Sequence, residues 1–281
     1  MNFFKKNPPA WSNKEMLIEL KKFNKIFEDR PIKNNKGGMS FPHMFAFYFI
    51  LKKIKPKFIV ERGVFKGQST WLIEKILPKS NLLSIDPNLE NRVYTSKKAK
   101  YSKIDFKYQD FSKIPKNTLV FFDDHQNHMD RLRQAKWFGI KHIVLEDNYP
   151  VSYGDFYTLK HAFNKNGYNH YLSFKNLLKT TFLFITMIIK KKIDNGNLIK
   201  LDKIISRLRD YPANNHDFDS AKKNINIYFE FPPIVKNKKW IKNKGNLYET
   251  EKPIIKDNSL INNVEENELQ DFNFLTYIKL R

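Results

Sequence analysis

The sequence predicts a doubly wound α/β fold, and three observations carry that prediction. An apolar run, Phe58-Ile-Val60, ends in Glu61; two glycines follow four residues apart, Gly63 and Gly67, and helical periodicity then sets in over 71–77. From there to residue 166, short apolar runs alternate with helix-period segments, the rhythm of a parallel sheet covered by helices. Two further strand-like runs, 224–231 and 272–280, close the chain as an antiparallel pair.

The elements follow in order. Residues 14–29 and 41–54 carry apolar side chains at helical spacing, with a break from Pro31 to Gly38 between them and Pro56 after them. Strand one is 58–61 and its helix 69–77. Strand two is 81–86, followed by a polar segment, 89–100, that reads as helix. Strand three is expected near 105–108, strand four at 118–122 with a helix at 127–137, and strand five at 142–145 with a helix at 156–166. Near residue 168 apolar patches begin to alternate with lysine clusters and strand character is lost. The expected organisation is a helical cap over 1–56, a Rossmann-like domain over 57–167 and 221–281, and a helical insertion or lid over 168–220.

Composition narrows the classes. At 281 residues the chain can bury a substantial core. The formal charge is +22, yet 43 of the 51 basic residues are Lys and 8 are Arg, spread along the whole chain. Arginine is the residue suited to bidentate base reading, so the charge is read as a solvated surface and nucleic acid as an unlikely partner. No cysteine is present, which removes disulfides, thiolate metal sites and cysteine nucleophiles. The first residues lack the apolar core of a secretory signal. The longest greasy stretch, 180–189, is too short to span a bilayer. A cytoplasmic chain without a transmembrane segment is expected.

Glycines at 63 and 67 let a turn adopt positive φ and let a ligand approach the backbone. The helix behind them presents unpaired N–H groups to an anion such as a carboxylate. Glu61 at the strand end suits an ammonium and repels a phosphate. The ligand this pattern fits carries both an amine and a carboxylate; a tight βα turn without a ligand is the plain alternative. Gly-x-Gly-x-x-Gly and the phosphate-loop Gly-Lys-[Ser/Thr] are both absent.

Glu61-x-Gly63-x-x-x-Gly67-x-Ser69 resembles the first motif of the class I S-adenosylmethionine-dependent methyltransferases. The resemblance implies their seven-stranded sheet, S-adenosylmethionine as cofactor, and Glu61, Gly63, Gly67 and Ser69 as cofactor-binding residues. Asp86, ending strand two, suits the two hydroxyls of a ribose, although Asp86-Pro87 is also a turn opener. In the resembled family the loop after strand three holds the adenine; Gln109 and Asp110 are the candidates here, with Tyr108 or Phe111 against the ring. Arg62 stands where an apolar residue is usual, so it either weakens cofactor binding or points to solvent.

Strand four ends in Asp123, Asp124, His125 and strand five in Glu146, Asp147, Asn148. So many oxygens at two strand ends would repel one another without a cation, and carboxylates plus an amide suit Mg²⁺. An N-cap ahead of the helix at 127 explains only one or two of them. This layout resembles the catechol and caffeoyl-coenzyme A O-methyltransferases, which implies Asp123, Asp147 and Asn148 as Mg²⁺ ligands. The lysine that serves those families as general base is Gln126 here, so His125 or His128 is the nearest substitute, with Asp123 and His125 as the catalytic pair. The expected activity is O-methyl transfer to a small molecule or saccharide. Two other readings stay open: a methyltransferase-fold binding module without activity, supported by Arg62 and Gln126, and a nucleic-acid methyltransferase, suggested by charge alone. Oligomeric state is not legible.

Overall fold

A computed structural model describes residues 11–151, 154–168, 185, 211–213, 215–235, 253–269 and 273–281. Tyr153, most of the expected lid and Phe272 lie outside the described residues.

Helix α1 (Asn13–Glu28) starts at Ser12, whose hydroxyl accepts from Glu15 N while the Glu15 carboxylate accepts from Ser12 N, a reciprocal capping box. Its buried residues, Met16, Leu20, Phe23 and Phe27, recur at the spacing of one helical face. Helix α2 (Phe41–Ile54) has Pro42 in its first turn and is buried from Phe41 through Leu51. A helix apolar on all sides needs cover on all sides: Phe23 of α1 lies 5.7 Å from Phe45, and Phe47 stacks at 4.2 Å on Phe121 of the sheet.

The sheet contains β1 (Phe58–Arg62), β2 (Asn81–Ile85), β3 (Ala99–Ser102), β4 (Thr118–Phe122), β5 (His142–Leu145), β6 (Ile225–Glu230) and β7 (Thr276–Leu280), in the order β3-β2-β1-β4-β5-β7-β6. The first five strands are parallel, and β7 runs antiparallel to both β5 and β6. Strand β4 is buried along its whole length, as a central parallel strand with both faces covered must be. The other helices among the described residues are α3 (Gln68–Ile76), α4 (His128–Trp137), α5 (Leu159–Phe163), α6 (Asn215–Asn224) and α7 (Glu266–Leu269). The seven-stranded, doubly wound sheet and its closing antiparallel hairpin are the ones the sequence predicts.

Strand three differs. It lies at Ala99–Ser102, starting in the last two residues of the segment expected to be helical, and pairs with β2 from Leu82↔Ala99 to Ile85↔Ser102. The Ser96 hydroxyl accepts from Lys98 N and Ala99 N, which turns the chain and competes with helix. An edge strand needs little apolar content, so Ala-Lys-Tyr-Ser gives no hydropathy signal. Where strand three was expected, Asp105 accepts from Lys107 N and caps a single 3₁₀ turn over Phe106–Tyr108. Phe106 is apolar there because it packs on Phe111, Phe122 and Phe138.

The described residues form two compact units. One draws on residues up to Asp123, on Gln134–Asn148 and on those from Asn224 onward; the other on Asp124–Arg133 and on residues between Tyr149 and Lys223. In the second, His128 N donates to Tyr157 O, the Thr158 hydroxyl donates to Tyr149 O, and Tyr168 and Tyr211 exchange both backbone bonds. No helix among the described residues is long and apolar enough to cross a membrane.

Candidate active site

The turn after β1 requires its glycines. Gly63 has φ +104° and Gly67 φ +90°, both in the left-handed region. A Cβ on Gly63 would come within 1.8 Å of the Asp123 carbonyl oxygen, and one on Gly67 within 2.4 Å of the Tyr94 carbonyl. The second glycine thus makes room for protein backbone. Gly67 is also the N-cap of α3.

Glu61 has no exposed surface. Its Oε2 accepts from Thr70 Oγ1 at 2.7 Å and from Ser84 Oγ at 2.6 Å, while Oε1 is buried without a hydrogen bond of standard geometry. Burial pushes the carboxyl pKa up, against the opposing pull of the Ser69, Ser84 and Thr70 hydroxyls. Ser69 therefore belongs to the surroundings of Glu61.

Asp86 clamps the glycine turn to the end of β2. Its Oδ2 accepts from Val64 N at 2.8 Å and Phe65 N at 3.1 Å, and its Oδ1 from Asn88 N at 2.8 Å. The turn reading is met in these bonds, which use three of the roughly four acceptor positions of a carboxylate. Arg62 does not reach solvent: it is buried and its Nη2 lies 2.9 Å from Asp105 Oδ2. Gln109 is tied into the same loop, its Nε2 donating to Ser102 Oγ and Ile104 O. Asp110 is exposed, and the Ser112 backbone N–H holds its carboxyl below the usual range. Of the two rings offered for stacking, Phe111 is buried against Phe106 and Phe138, whereas Tyr108 is 71% exposed.

The acids ending β4 and β5 divide by partner. Asp124 forms a buried ion pair with Arg131. Glu146 Oε1 lies 2.6 Å from His43 Nδ1, both side chains buried, and His43 Nε2 accepts from Phe274 N. Both nitrogens of His43 are thus committed within this contact set, which sets the tautomer. Asp147 has carboxylate oxygens within 4.8 Å from both Glu146 and Asp123, and of these two Glu146 already holds His43. Asn148 is fully buried, and its Nδ2 donates to Tyr228 Oη at 2.8 Å and Thr276 Oγ1 at 3.1 Å. Asp147 sits at φ +57°, a left-handed position that Asp tolerates. Burial and Glu230 push the Tyr228 hydroxyl pKa well up, which keeps it a hydrogen-bonding phenol.

In the second unit, His125 also has positive φ, +52°, and its Nδ1 lies 2.8 Å from Asp155 Oδ1. His128 is buried against Phe156 at 5.0 Å, which sets it apart from the more open His125. Sequence reasoning missed His43, Arg131 and Tyr228, and it placed Asp155 on the rim of the site without pairing it with His125. Of the three missed, only His43 left a signal, as the one imidazole in an otherwise apolar helix.

No protein-family profile matches the chain, and no curated protein matches it in sequence. Solved structures do resemble it. One titled cmcI-N160 SAH aligns at 16% identity and TM-score 0.37 over 42% of this chain. The O-methyltransferase from Bacillus cereus in complex with SAH aligns at 17% and 0.31 over 47%. The N-terminal domain of EvdMO1 in the presence of SAH and D-fucose aligns at 18% and 0.32 over 48%. In each case the chain spans 66% of the solved chain's own length, just under two thirds. The order of this sheet, its antiparallel last hairpin and its Gly-x-x-x-Gly turn give the chain the fold of the class I S-adenosylmethionine-dependent methyltransferases.

Proposed function

We propose that the chain is an S-adenosylmethionine-dependent O-methyltransferase acting on a hydroxyl of a small molecule or saccharide, assisted by a divalent cation. The observation that carries the proposal is the pair of carboxylates at the ends of neighbouring strands, Asp123 and Asp147, beside a glycine turn that packs on the Asp123 backbone. Two carboxylates that close gain most from a shared cation.

The residues fit the cofactor. Glu61, held by the Thr70 and Ser84 hydroxyls, is assigned to the ammonium, and Asp86 keeps acceptor capacity for a ribose hydroxyl. Gly63, Gly67 and Ser69 shape the turn around them, and Gln109 and Asp110 are assigned to the adenine side. Bound there, S-adenosylmethionine supplies an already activated methyl group, so the protein must mainly align the acceptor oxygen with carbon and sulfur.

The residues also fit a hard cation: Asp123 and Asp147 offer charge and Asn148 an amide oxygen. Mg²⁺ held by them would lower the pKa of an acceptor hydroxyl. His125 takes the hydroxyl proton in place of the lysine that Gln126 has replaced. With Nδ1 engaged by Asp155, Nε2 is the nitrogen that receives it.

The test is methyl transfer from S-adenosylmethionine to catechol, vicinal diols and methyl glycosides, with protein treated with EDTA and with Mg²⁺ restored. Activity lost on chelation and regained with Mg²⁺ supports the reading. Full activity after chelation removes the cation from it.

A further inference from the structure

The five parallel strands carry opposite charges at their two ends. Lys57, Lys79, Lys98, Lys116 and Lys141 stand one or two residues ahead of β1, β2, β3, β4 and β5, and all five are exposed. The same strands carry Glu61, Asp86, Asp105, Asp123 and Glu146 at or within three residues of their other ends. Because the strands are parallel, the lysines gather at one end of the sheet and the acids at the other. Hydrogen bonds tie the lysine end together. Lys57 N donates to Asn117 O at 2.9 Å, Lys57 O accepts from Asn81 N at 3.0 Å, and Lys98 Nζ donates to Pro78 O at 3.1 Å. Acids do reach this side, Glu15 paired with Lys53 and Glu74 near Lys98, yet among the described residues none of the five strand-start lysines forms an ion pair. Trp137, the last residue of α4, is 86% exposed. Its neighbour Lys136 donates to Asn224 Oδ1 at 2.6 Å, directly ahead of β6, which places the indole at the lysine end.

We propose that this end of the sheet docks on an anionic lipid bilayer, with Trp137 at the headgroup level and the strand-end acids turned away from the lipid. Each lysine close to an anionic leaflet strengthens attachment by about fivefold, and long lysine stems let the ammonium reach the headgroups. The acids at the opposite end are repelled by the same surface, so the field orients the sheet as well as attracting it. An indole is amphipathic and settles where apolar chains meet water, which gives an 86% exposed Trp137 a place to bury its ring. Nucleic acid fits this end less well. Duplex DNA is read with arginine forks, and single strands stack on several aromatic rings in series. Here five point charges surround one exposed indole.

The experiment is flotation of the full chain with vesicles of phosphatidylcholine alone and of equimolar phosphatidylcholine and phosphatidylglycerol. Binding to the anionic vesicles and not to the neutral ones is expected. Its Kd should weaken about a hundredfold when Lys57→Gln, Lys79→Gln, Lys116→Gln and Lys141→Gln are combined, and about tenfold in Trp137→Ser. The control set, Lys33→Gln, Lys36→Gln, Lys103→Gln and Lys107→Gln, removes the same charge. Lys33 and Lys36 flank Asn34, whose carbonyl accepts from Lys66 of the glycine turn, and the other two follow β3. This set should cost less than about threefold. Equal losses in the two sets would make net charge the attractor and overturn the proposal. No binding to anionic vesicles overturns it as well, and so does binding that neither the first set nor Trp137→Ser weakens. Single-stranded RNA is titrated in parallel: RNA binding without vesicle binding replaces the bilayer with nucleic acid. If the four-lysine variant fails to fold, Trp137→Ser and Lys141→Gln decide it.

Discussion

Gly63 lies directly against the carbonyl of Asp123, so that the glycine turn after β1 packs on the end of β4. A Cβ at 63 would overlap that oxygen at 1.8 Å, in a backbone conformation that already disfavours side chains. Gly63→Ala should therefore lower stability by on the order of 3 kcal/mol, strain and displacement together. Gly139→Ala is the matched control: φ is +71° but nothing stands within 4 Å of its Cβ, so about 1–2 kcal/mol is expected. Urea unfolding of both variants measures the difference, and equal losses would mean that the close approach to Asp123 is not a constraint.

His125→Ala should reduce turnover by roughly a hundredfold to ten-thousandfold while cation and cofactor affinities stay near wild type. Asp155→Asn should act in the same direction, by about tenfold, because it orients the ring without receiving the proton. Steady-state rates with titrations of Mg²⁺ and S-adenosylmethionine check both. A loss of Mg²⁺ affinity in His125→Ala would make the imidazole a ligand rather than a base.

The neighbouring acids Asp123 and Asp124 should separate cleanly. Asp124 is buried with Arg131, and leaving that guanidinium buried without its partner costs about 3–5 kcal/mol. Asp124→Ala should thus unfold at markedly lower urea. Asp123→Ala, at a half-buried position, should keep most of its stability and lose its response to Mg²⁺. The opposite pattern would exchange their roles.

Burial, aided by Lys279 and Lys141, lowers the pKa of His142 from 6.5 to about 4. The unfolded chain then binds the extra proton between those values, so this stability is full above about pH 6.5 and is lost as pH falls toward 4. His142→Gln should remove one proton's share of that slope, about 1.4 kcal/mol per pH unit. His161, lowered to about 4 by burial, remains in the variant and keeps a second share. Unfolding free energies measured across this window test it; parallel wild-type and variant slopes would show that His142 titrates normally.

What the sequence revealed, it revealed where one local force dominates. The strand-turn-helix at 58–77 is legible because the glycines and the apolar run answer to backbone sterics and burial over a few residues. Strand β3 was not, because an edge strand of Ala-Lys-Tyr-Ser is held by its ladder to β2 and by the turn at Ser96. Asp123 and Asp147 were found from their place at strand ends. The partners that reassign Asp124 and Glu146 were not, since His43 is about a hundred residues from Glu146 and the Arg131 pairing depends on the helix phase after residue 127.

The central claim is that the turn from Glu61 to Ser69 and the end of β2 hold S-adenosylmethionine. Isothermal titration of the Mg²⁺-loaded protein with S-adenosylmethionine tests it most directly, with Asp86→Ala in parallel. Saturable binding at one site, weakened about tenfold or more in the variant, is the predicted result. No heat of binding to the folded wild-type protein, or an affinity that Asp86→Ala leaves unchanged, would contradict it.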